Sequence, residues 1–490
     1  MPQFLITLVV IVVLNVVVML LTPKRSAQPQ QEVRSPATPQ PSDGSYALKQ
    51  NMPSLTEVMG RVKKAGDYIF LEELNGTAYH NMAMAGHRVH AFVKHYHHDE
   101  EVTLSGTNVV APAHFGTTNV SIASWNGLDA ETANAALVAT FPSIWTGNHR
   151  GDGIARVEMA VGTVPQEDYL KVYPQQMLQH SAVIEGAYLY DNREPGHDPD
   201  DHNSWSFSTN LALMRVRHLT RPSGGKLSFA DLYWPEWNTA ADVADEAVLN
   251  RDGAPEPRYH GGIWYRYEND PVEIGRIIDL AAEMVVYERP DGLIGVHAGW
   301  MVTPNIRITE KEILVLRHDA NASEASTVLA VRGRWPDPAA IYNKVDAAIY
   351  GDPYTGEDDT QRTKTVDNQA VQYHNHMQRL QKLAFIRANA ARITVKIPYD
   401  GDSPTRNARY RLFVRLHYPQ RGLDEAVVEI MDRPKLSLRE LTIEFEGIRG
   451  AGDALQLRRL DRGGGAGRRD RIGHAGCDPG ADRLRGGNWC

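Results

Sequence analysis

Cysteine is nearly absent. The 490 residues hold two, Cys477 and Cys490, both near the C-terminal end. The body therefore has no disulfide, no thiol nucleophile and no cysteine zinc site. That fits assembly in a reducing cytoplasm. Catalytic signatures are missing as well: there is no G-x-S-x-G, no P-loop, no H-E-x-x-H and no Rossmann fingerprint. Positive charge is not in excess. Sixty acidic residues against 52 basic ones leave a formal charge of −8, so nothing global points to nucleic acid or to an anionic membrane surface. Hydrophobic content of 42% and charged content of 23% are ordinary globular usage. The length suits two to four domains.

Long apolar runs are confined to one place. Phe4 to Leu21 is apolar apart from Thr7 and Asn15. As a helix it spans about 27 Å, close to the ~30 Å hydrocarbon core of a bilayer. No basic residue precedes it and no small-x-small site follows, so it does not read as a cleaved signal peptide. If it crosses a bilayer, Lys24 and Arg25 favour a cytoplasmic body. The other reading is an apolar arm packed inside an assembly. Ser26 to Ser45 is rich in Pro, Gln and Ser and reads as a disordered linker.

Order is expected from about Met52. Tyr68–Leu71, Val89–Val93, Asn119–Ile122 and Ile154–Val161 read as strands between Gly-rich turns. Asp129 is expected to cap a short helix carrying Ala133, Leu137 and Val138. Ile184–Tyr190 reads as a strand and Asp191–Asn203 as an acidic loop broken by Pro195, Gly196 and Pro199. A helix follows, capped by Ser208 or Thr209, with Ala212, Val216 and Leu219 on one face. Asn238–Leu249 has helical periodicity, with Gly253 as its end. Asp270-Pro271-Val272-Glu273 opens a helix that puts Ile274, Ile277, Ile278 and Ala281 on one face. Arg289-Pro290-Asp291-Gly292 between two apolar runs predicts a hairpin. Thr309-x-x-Glu312 reads as a further capping box. Val366, Ala370, Tyr373, Met377, Leu380 and Ala384 form a near-heptad helical stripe. Strands are expected at Ile393–Ile397, Tyr410–Leu416, Ala426–Ile430 and Leu441–Phe445.

Each chemically suggestive cluster has a plainer reading. His87, His90, His95, His97 and His98 are rich enough in imidazole for a metal. However, strand alternation separates His90 from His95 and His97, and adjacent His97 and His98 point apart. Asp191, Glu194, Asp198, Asp200 and Asp201 lack the order of a calcium loop and read as a solvated acidic loop. Arg150-Gly151-Asp152 reads as a glycine turn before a strand. Asp352, Glu357, Asp358 and Asp359 sit in one turn-rich run, whereas glycosidase acids converge from separate elements. The aromatics of Tyr233–Trp237 and Trp264–Tyr267 suit an interface and an ordinary core equally. No catalytic residue, cofactor or metal ligand is assigned.

Several segments carry a family resemblance. Gly60-Arg61-Val62 with Gly66 and Phe70-Leu71-Glu72 form the first. Trp145 with His149 to Ala155 forms the second. The third is Gly186, Tyr190-Asp191-Asn192-Arg193, Trp205-Ser206 and Asn210 to Leu213. Pro304, Ile306, Ile308, Thr309 and Ile313 follow, then Asn343, Val345 and Tyr350 before Asp352-Pro353, then the helix Arg379–Arg387. Together these resemble motifs of the tip attachment proteins, the central tail hubs of lambda-like long-tailed bacteriophages. The match departs at Lys63-Lys64 and at Gly351, which is inserted. The resemblance spans about residues 53–446. It implies a trimeric, mainly β hub that joins the tail tube to other tail-tip proteins and meets the host surface indirectly. It also implies a prophage source, assembly in the bacterial cytoplasm, residence in the virion tail and no sequence-specific nucleic-acid binding.

The fold class expected is α+β, mainly β: a multi-domain tail-hub architecture with inserted α/β elements, preceded by an N-terminal hydrophobic helix. The expected divisions are 1–22, hydrophobic helix; 23–52, linker; 53–180, β-rich hub; 181–260, inserted α/β segment with the acidic loop; 261–345, α+β; 346–446, helix plus closing strands; and 447–490, tail. From Gly447 the chain turns to Gly, Arg and Asp with almost no apolar period, as in a disordered tail or a frameshifted end. The resemblance implies further β domains and a receptor-contacting tip beyond this point. The function expected is structural and non-enzymatic. The alternatives are a tail-associated cell-wall hydrolase and a membrane-anchored β-rich binding protein.

Overall fold

The computed structural model describes residues 53–449, apart from 116–118, 174–177, 251, 300–302, 320–326, 353–361 and 400–407. The chain divides into Met1–Asp43 and Gly44–Cys490. The run Phe4–Leu21, the linker and residues 450–490 lie outside the described residues. Among the described residues no helix is long and apolar enough to cross a membrane.

Numbering strands of four or more residues, the first half holds β1 (Thr56–Ala65), β2 (Asp67–Leu74), β3 (Thr77–Ala85), β4 (Ala91–His97), β5 (Glu100–Ser105), β6 (Asn108–Ala111) and β7 (Val120–Trp125). Helix α1 (Ala135–Thr140), β8 (Ala155–Gly162), α2 (Tyr169–Val172) and β9 (His180–Glu185) follow. The middle holds α3 (Leu211–Thr220), α4 (Trp234–Asp245), β10 (Gly262–Arg266), α5 (Pro271–Ala281), β11 (Val285–Glu288) and β12 (Ile294–His297). The last part holds β13 (Ile306–Thr309), β14 (Val315–Asp319), β15 (Ala330–Asp337), β16 (Asn343–Asp346), β17 (Thr363–Asp367) and α6 (His374–Asn389). Strands β18 (Arg392–Pro398), β19 (Phe413–Tyr418), β20 (Leu423–Ile430) and β21 (Thr442–Arg449) complete it.

A ten-stranded sheet runs β10-β1-β9-β4-β5-β6-β7-β8-β3-β2. Its organising strand is β1. The first half of β1 pairs antiparallel with β10, from Thr56↔Arg266 to Gly60↔Gly262. Its second half pairs antiparallel with β9, from Arg61↔Glu185 to Ala65↔Ser181. The change of partner falls at Gly60, where φ is +68° and a Cβ would lie 2.3 Å from the Gly261 carbonyl oxygen. Only glycine takes that conformation at that distance without strain. Strand β1 is buried on both faces through Thr56–Gly60, so it has no alternation to read.

The helical layer agrees with the sequence where a local cap decides the boundary. Asp270 Oδ1 accepts from the Val272 amide at 2.9 Å. Helix α5 then buries Ile274, Ile278 and Ala281, with Ile277 at the margin. The Pro-Asp-Gly hairpin is β11–β12. Elsewhere boundaries move. Asn210, not Ser208 or Thr209, caps α3, and Asn134, not Asp129, caps α1. Helix α4 starts and ends four residues earlier than its periodicity predicts. Ala247–Leu249 leaves it to pair with Pro255–Pro257, and Gly253 serves that turn. The 366–384 stripe is not one helix: Val366 lies in β17, Ala370 in a turn, and α6 begins at His374.

Strands β13-β19-β20-β21-β18-β14 form the path of a second, seven-stranded sheet, with Lys435–Ser437 added on β21. Its core includes Ile306, Ile308, Val395, Val414, Val428 and Phe445. The Thr309 amide and hydroxyl both donate to Glu312 Oε2, but β14 follows rather than a helix. In a third sheet β15 pairs with β16, β17 and Tyr350–Gly351. Strand β21 continues through Arg449 and buries Ile448, so order extends past the expected boundary at 447. The described fold is mainly β with helices, as expected.

Two outcomes follow for stability. Ile278→Asp places a carboxylate in a fully buried position and should cost about 3 kcal/mol or more in urea unfolding. A chain ending at Glu446 loses Ile448 and its pairing with Glu429 and Arg392. It should melt below a chain ending at Arg449, and equal melting temperatures would place the real edge of the fold earlier.

Candidate functional site

The stretch after β9 is where sheet and helices meet. Tyr188–Leu189 pairs with Ser206–Phe207, and the acidic loop lies between. Asp191 is buried and grips Arg193 through two hydrogen bonds of 2.9 and 2.7 Å. Arg193 extends to Asp242 and Asp245 of α4 at 2.7 and 2.8 Å. Asp198 and Asp201 fold the loop on itself: their carboxylates accept from the amides of Asp200 and Asn203, and the Asp198 carbonyl accepts from Trp205 Nε1 at 2.7 Å. Glu194, Asp198, Asp200 and Asp201 are exposed, as expected, whereas Asp191 is structural. Among the described residues no group of three histidines, cysteines or carboxylates could hold a metal ion.

One fully buried polar node is centred on Glu57 of β1. Its side chain is 0% exposed and touches Arg217 Nε at 2.6 Å, Arg221 Nη2 at 3.2 Å and His87 Nε2 at 3.6 Å. The Tyr267 hydroxyl donates to it at 3.1 Å. Burial pushes the carboxyl up, but Arg217, His87 and Arg221 together overrule burial and hold it at about 2. His87 is lowered to about 4, chiefly by burial. It stays neutral and accepts from the Val58 amide at 3.0 Å. A second node joins Asp67 to Arg266 at 2.6 Å and to Lys64 at 3.6 Å. Burial lowers Lys64 to about 8 despite Asp67.

The histidine run is dispersed. His87 goes to Glu57, His90 stacks on Phe207, and His98 Nε2 reaches the Val172 carbonyl at 3.1 Å. A bulge between Phe92 and Lys94 resets the register of β4. His95 and His97 turn inward to meet His180 of β9, and His80 of β3 lies within electrostatic reach of His97 and His180; sequence reasoning had singled out neither His80 nor His180. His180 sits directly opposite His97 in the ladder. That pairing is non-local and leaves no signal in the sequence.

A hydroxyl–imidazole–carboxylate line was also missed. Thr209 Oγ1 lies 2.8 Å from His260 Nδ1, and His260 Nε2 lies 2.7 Å from Asp245 Oδ1. Its neighbours are committed elsewhere. The amides of Asn210, Leu211 and Gly261 donate to Ser208 Oγ, the Tyr259 carbonyl and the Thr209 carbonyl. None of these three is free to stabilise an oxyanion. The line fastens the start of α3 to the end of α4. Arg150 and Asp152 pair with each other at 2.6 Å in the glycine turn before β8. Asp352 is described, while Glu357, Asp358 and Asp359 lie outside the described residues. Trp237 and Tyr265 are core residues, and Trp264 lies beside the Lys64 ammonium.

Glu57 and His87 predict an acid response. His87 refuses a proton in the fold but accepts one near 6.5 when unfolded. Its contribution is therefore complete above pH 6.5 and lost as pH falls toward 4, by about 3 kcal/mol. The depressed Glu57 adds a loss between its unfolded value, near 4.5, and about 2. Urea unfolding should show stability falling below pH 6.5, and His87→Gln should flatten part of that fall. Glu57→Gln should destabilise by about 3–5 kcal/mol, because two arginines lose their counter-charge in a dry site. Pairing it with Arg217→Met should recover part of that cost.

No family model matches the chain, and no curated protein matches it. Solved structures do. A chain from the virion of a native gene transfer agent particle superposes with a TM-score of 0.55 at 10% identity, covering 84% of this chain and 87% of that one. A tail protein from Neisseria meningitidis MC58 matches over 82% of this chain and 99% of that one, at 11% identity and a TM-score of 0.30. The 43 kDa tail protein of prophage MuSo2 from Shewanella oneidensis matches over 82% and 95%, at 10% identity and a TM-score of 0.29. The last two scores are too low to carry an argument. At such identities the first establishes likeness of fold alone: this chain shares the fold of a chain in that virion over most of both lengths.

Proposed function

We propose that the chain is a structural component of a phage-type tail, and within it the tail hub or tip attachment protein that links the tail tube to the host-contacting end. The observation that carries the tail reading is the fold shared with the virion chain over 84% of this protein and 87% of that one. The hub assignment rests on the motif resemblance between residues 53 and 446. The chemistry of the site suits this role. Glu57, Asp67, Asp191 and Asp245 each meet an arginine of the same chain. The proposed role is non-enzymatic: it presents surfaces to the tube, to other tip proteins and to copies of itself, and resides in the virion tail.

Closed rotational symmetry is the norm for homo-oligomers, and a hub on the tail axis calls for three copies. Particles should be purified from an induced culture carrying an epitope-tagged chain and imaged by electron cryomicroscopy. The tag should appear at the tail end in threefold symmetry. Absence from particles refutes the tail reading, while one copy per assembled tail refutes the hub. A peptidoglycan zymogram should stay dark. A cleared band that an Asp→Asn change removes, with particles still assembled, would make the protein a wall hydrolase.

A further inference from the structure

The buried histidines in the large sheet have no role in the ion-pair nodes or in the proposed assembly surfaces. His80 comes from β3, His95 and His97 from β4, and His180 from β9. All four are buried, and His97 is 0% exposed. His95 Nδ1 lies 3.3 Å from His180 Nε2. The ring centroids of His95 and His97 lie 5.2 and 5.3 Å from that of His180. Neither ring nitrogen of His97 has a hydrogen-bond partner among the described residues, nor has Nδ1 of His180. A dry, unpartnered imidazole is unusual, because buried polar atoms are almost always satisfied.

Among the described residues, no carboxylate acts on the four rings to balance a proton. From β2 the Tyr68 hydroxyl meets His80 Nδ1 at 3.0 Å. From β7, Ser124 Oγ lies 3.5 Å from His95 Nε2. Beyond β6, Phe115 packs edge-on to His97, and His114 beside it turns to Glu100 at 2.9 Å. From the β4–β5 turn His98 acts on His97. The titratable groups acting on His97 and His180 are histidines, which when charged can only repel one another. Burial lowers His80 and His95 to about 4 and His97 to about 3, and takes His180 well below its ordinary value.

We propose that the four histidines form an acid-operated latch: neutral, they pack shut the end of the sheet where β4 finishes and β9 begins, and on taking up protons they open that seam while the second sheet stays folded. Each histidine that is neutral when closed and titrates normally when open makes opening up to tenfold more favourable per pH unit below about 6. Four acting together give a response far steeper than one group can.

The test is hydrogen exchange on the full chain between pH 7 and 5, corrected for the intrinsic pH dependence of exchange. Amides of β4 and β9 should lose protection by more than tenfold per pH unit below pH 6. Those of β18 and β20, which contain no histidine, should keep theirs. A His97→Phe, His180→Phe double variant, which keeps His80 and His95, should lose protection in β4 and β9 with a clearly lower slope per pH unit than the wild type. If that variant does not fold, His95→Gln should still lower the slope of the wild-type response. Constant protection in wild-type β4 and β9, simultaneous loss in both sheets, or an unchanged slope in the variants would each overturn the latch.

Discussion

A carboxylate with no exposed surface needs positive charge brought to it, and the fold around Glu57 is arranged to do so. Leaving that charge unpaired in a dry site would cost several kcal/mol. Arg217 arrives from α3, Arg221 from the cap that ends it, Tyr267 from the end of β10, and neutral His87 from the turn before β4. Each element is thereby fixed relative to β1. Helix α3 must turn Arg217 inward, so its buried face carries charge as well as Leu211, Met214 and Val216. A helix docked by hydrophobic contact alone could rotate by part of a turn with little loss. The Arg217–Glu57 hydrogen bond removes that freedom.

The same strand also sets the backbone. Strand β1 changes partner at Gly60, and the Gly186 amide donates to the Gly60 carbonyl at 2.8 Å. A Cβ on Gly186 would lie 2.3 Å from the Val58 carbonyl oxygen. The two glycines, spaced far apart in sequence, are one contact in space. Other motif residues have equally concrete work. Asp191 and Arg193 tie the loop to α4, Trp205 closes the acidic loop, and Asn210 both caps α3 and reaches Asp245 and the Ala241 carbonyl at 2.9 and 3.0 Å. Gly60, Gly186, Asp191, Arg193 and Asn210, which carry part of the family resemblance, lie where sheet and helices are joined.

The buried ionisable groups also give the molecule a direction of weakness. At neutral pH the arginine–carboxylate nodes are fully formed and the interior histidines are uncharged. Acid reverses both conditions, first at the histidines and then at Glu57. The helical layer and the large sheet share that sensitivity through His87 and His218 on one side and His80, His95, His97 and His180 on the other. The second sheet is built on aliphatic contacts such as Ile308, Val395 and Val428, and its buried carboxylate, Glu429, is paired with Arg387 and Arg411.

The sequence by itself determined what nearest neighbours decide. The acidic cap and proline of α5, the Pro-Asp-Gly hairpin, the glycine turn before β8, the alternating strand β18 and the strand β20 are all local, and all are present in the fold. So is the mainly β character. Tertiary structure decided the rest. Strand β1 was unreadable because Glu57 and Lys64 look like surface residues until Arg217 and Asp67 are placed beside them. The 366–384 stripe is periodic, yet Val366 is claimed by the ladder with β15, whose hydrogen bonds outweigh a few tenths of a kcal/mol of helix propensity. Asn238–Leu249 loses its last turn to pairing with Pro255–Pro257. Of the histidine cluster, strand alternation put His95 and His97 on one face, but their partners His80 and His180 could not be read. A ladder register and the curl of a ten-stranded sheet bring His80 and His180 to His95 and His97, and neither is written within any window of the chain short enough to scan.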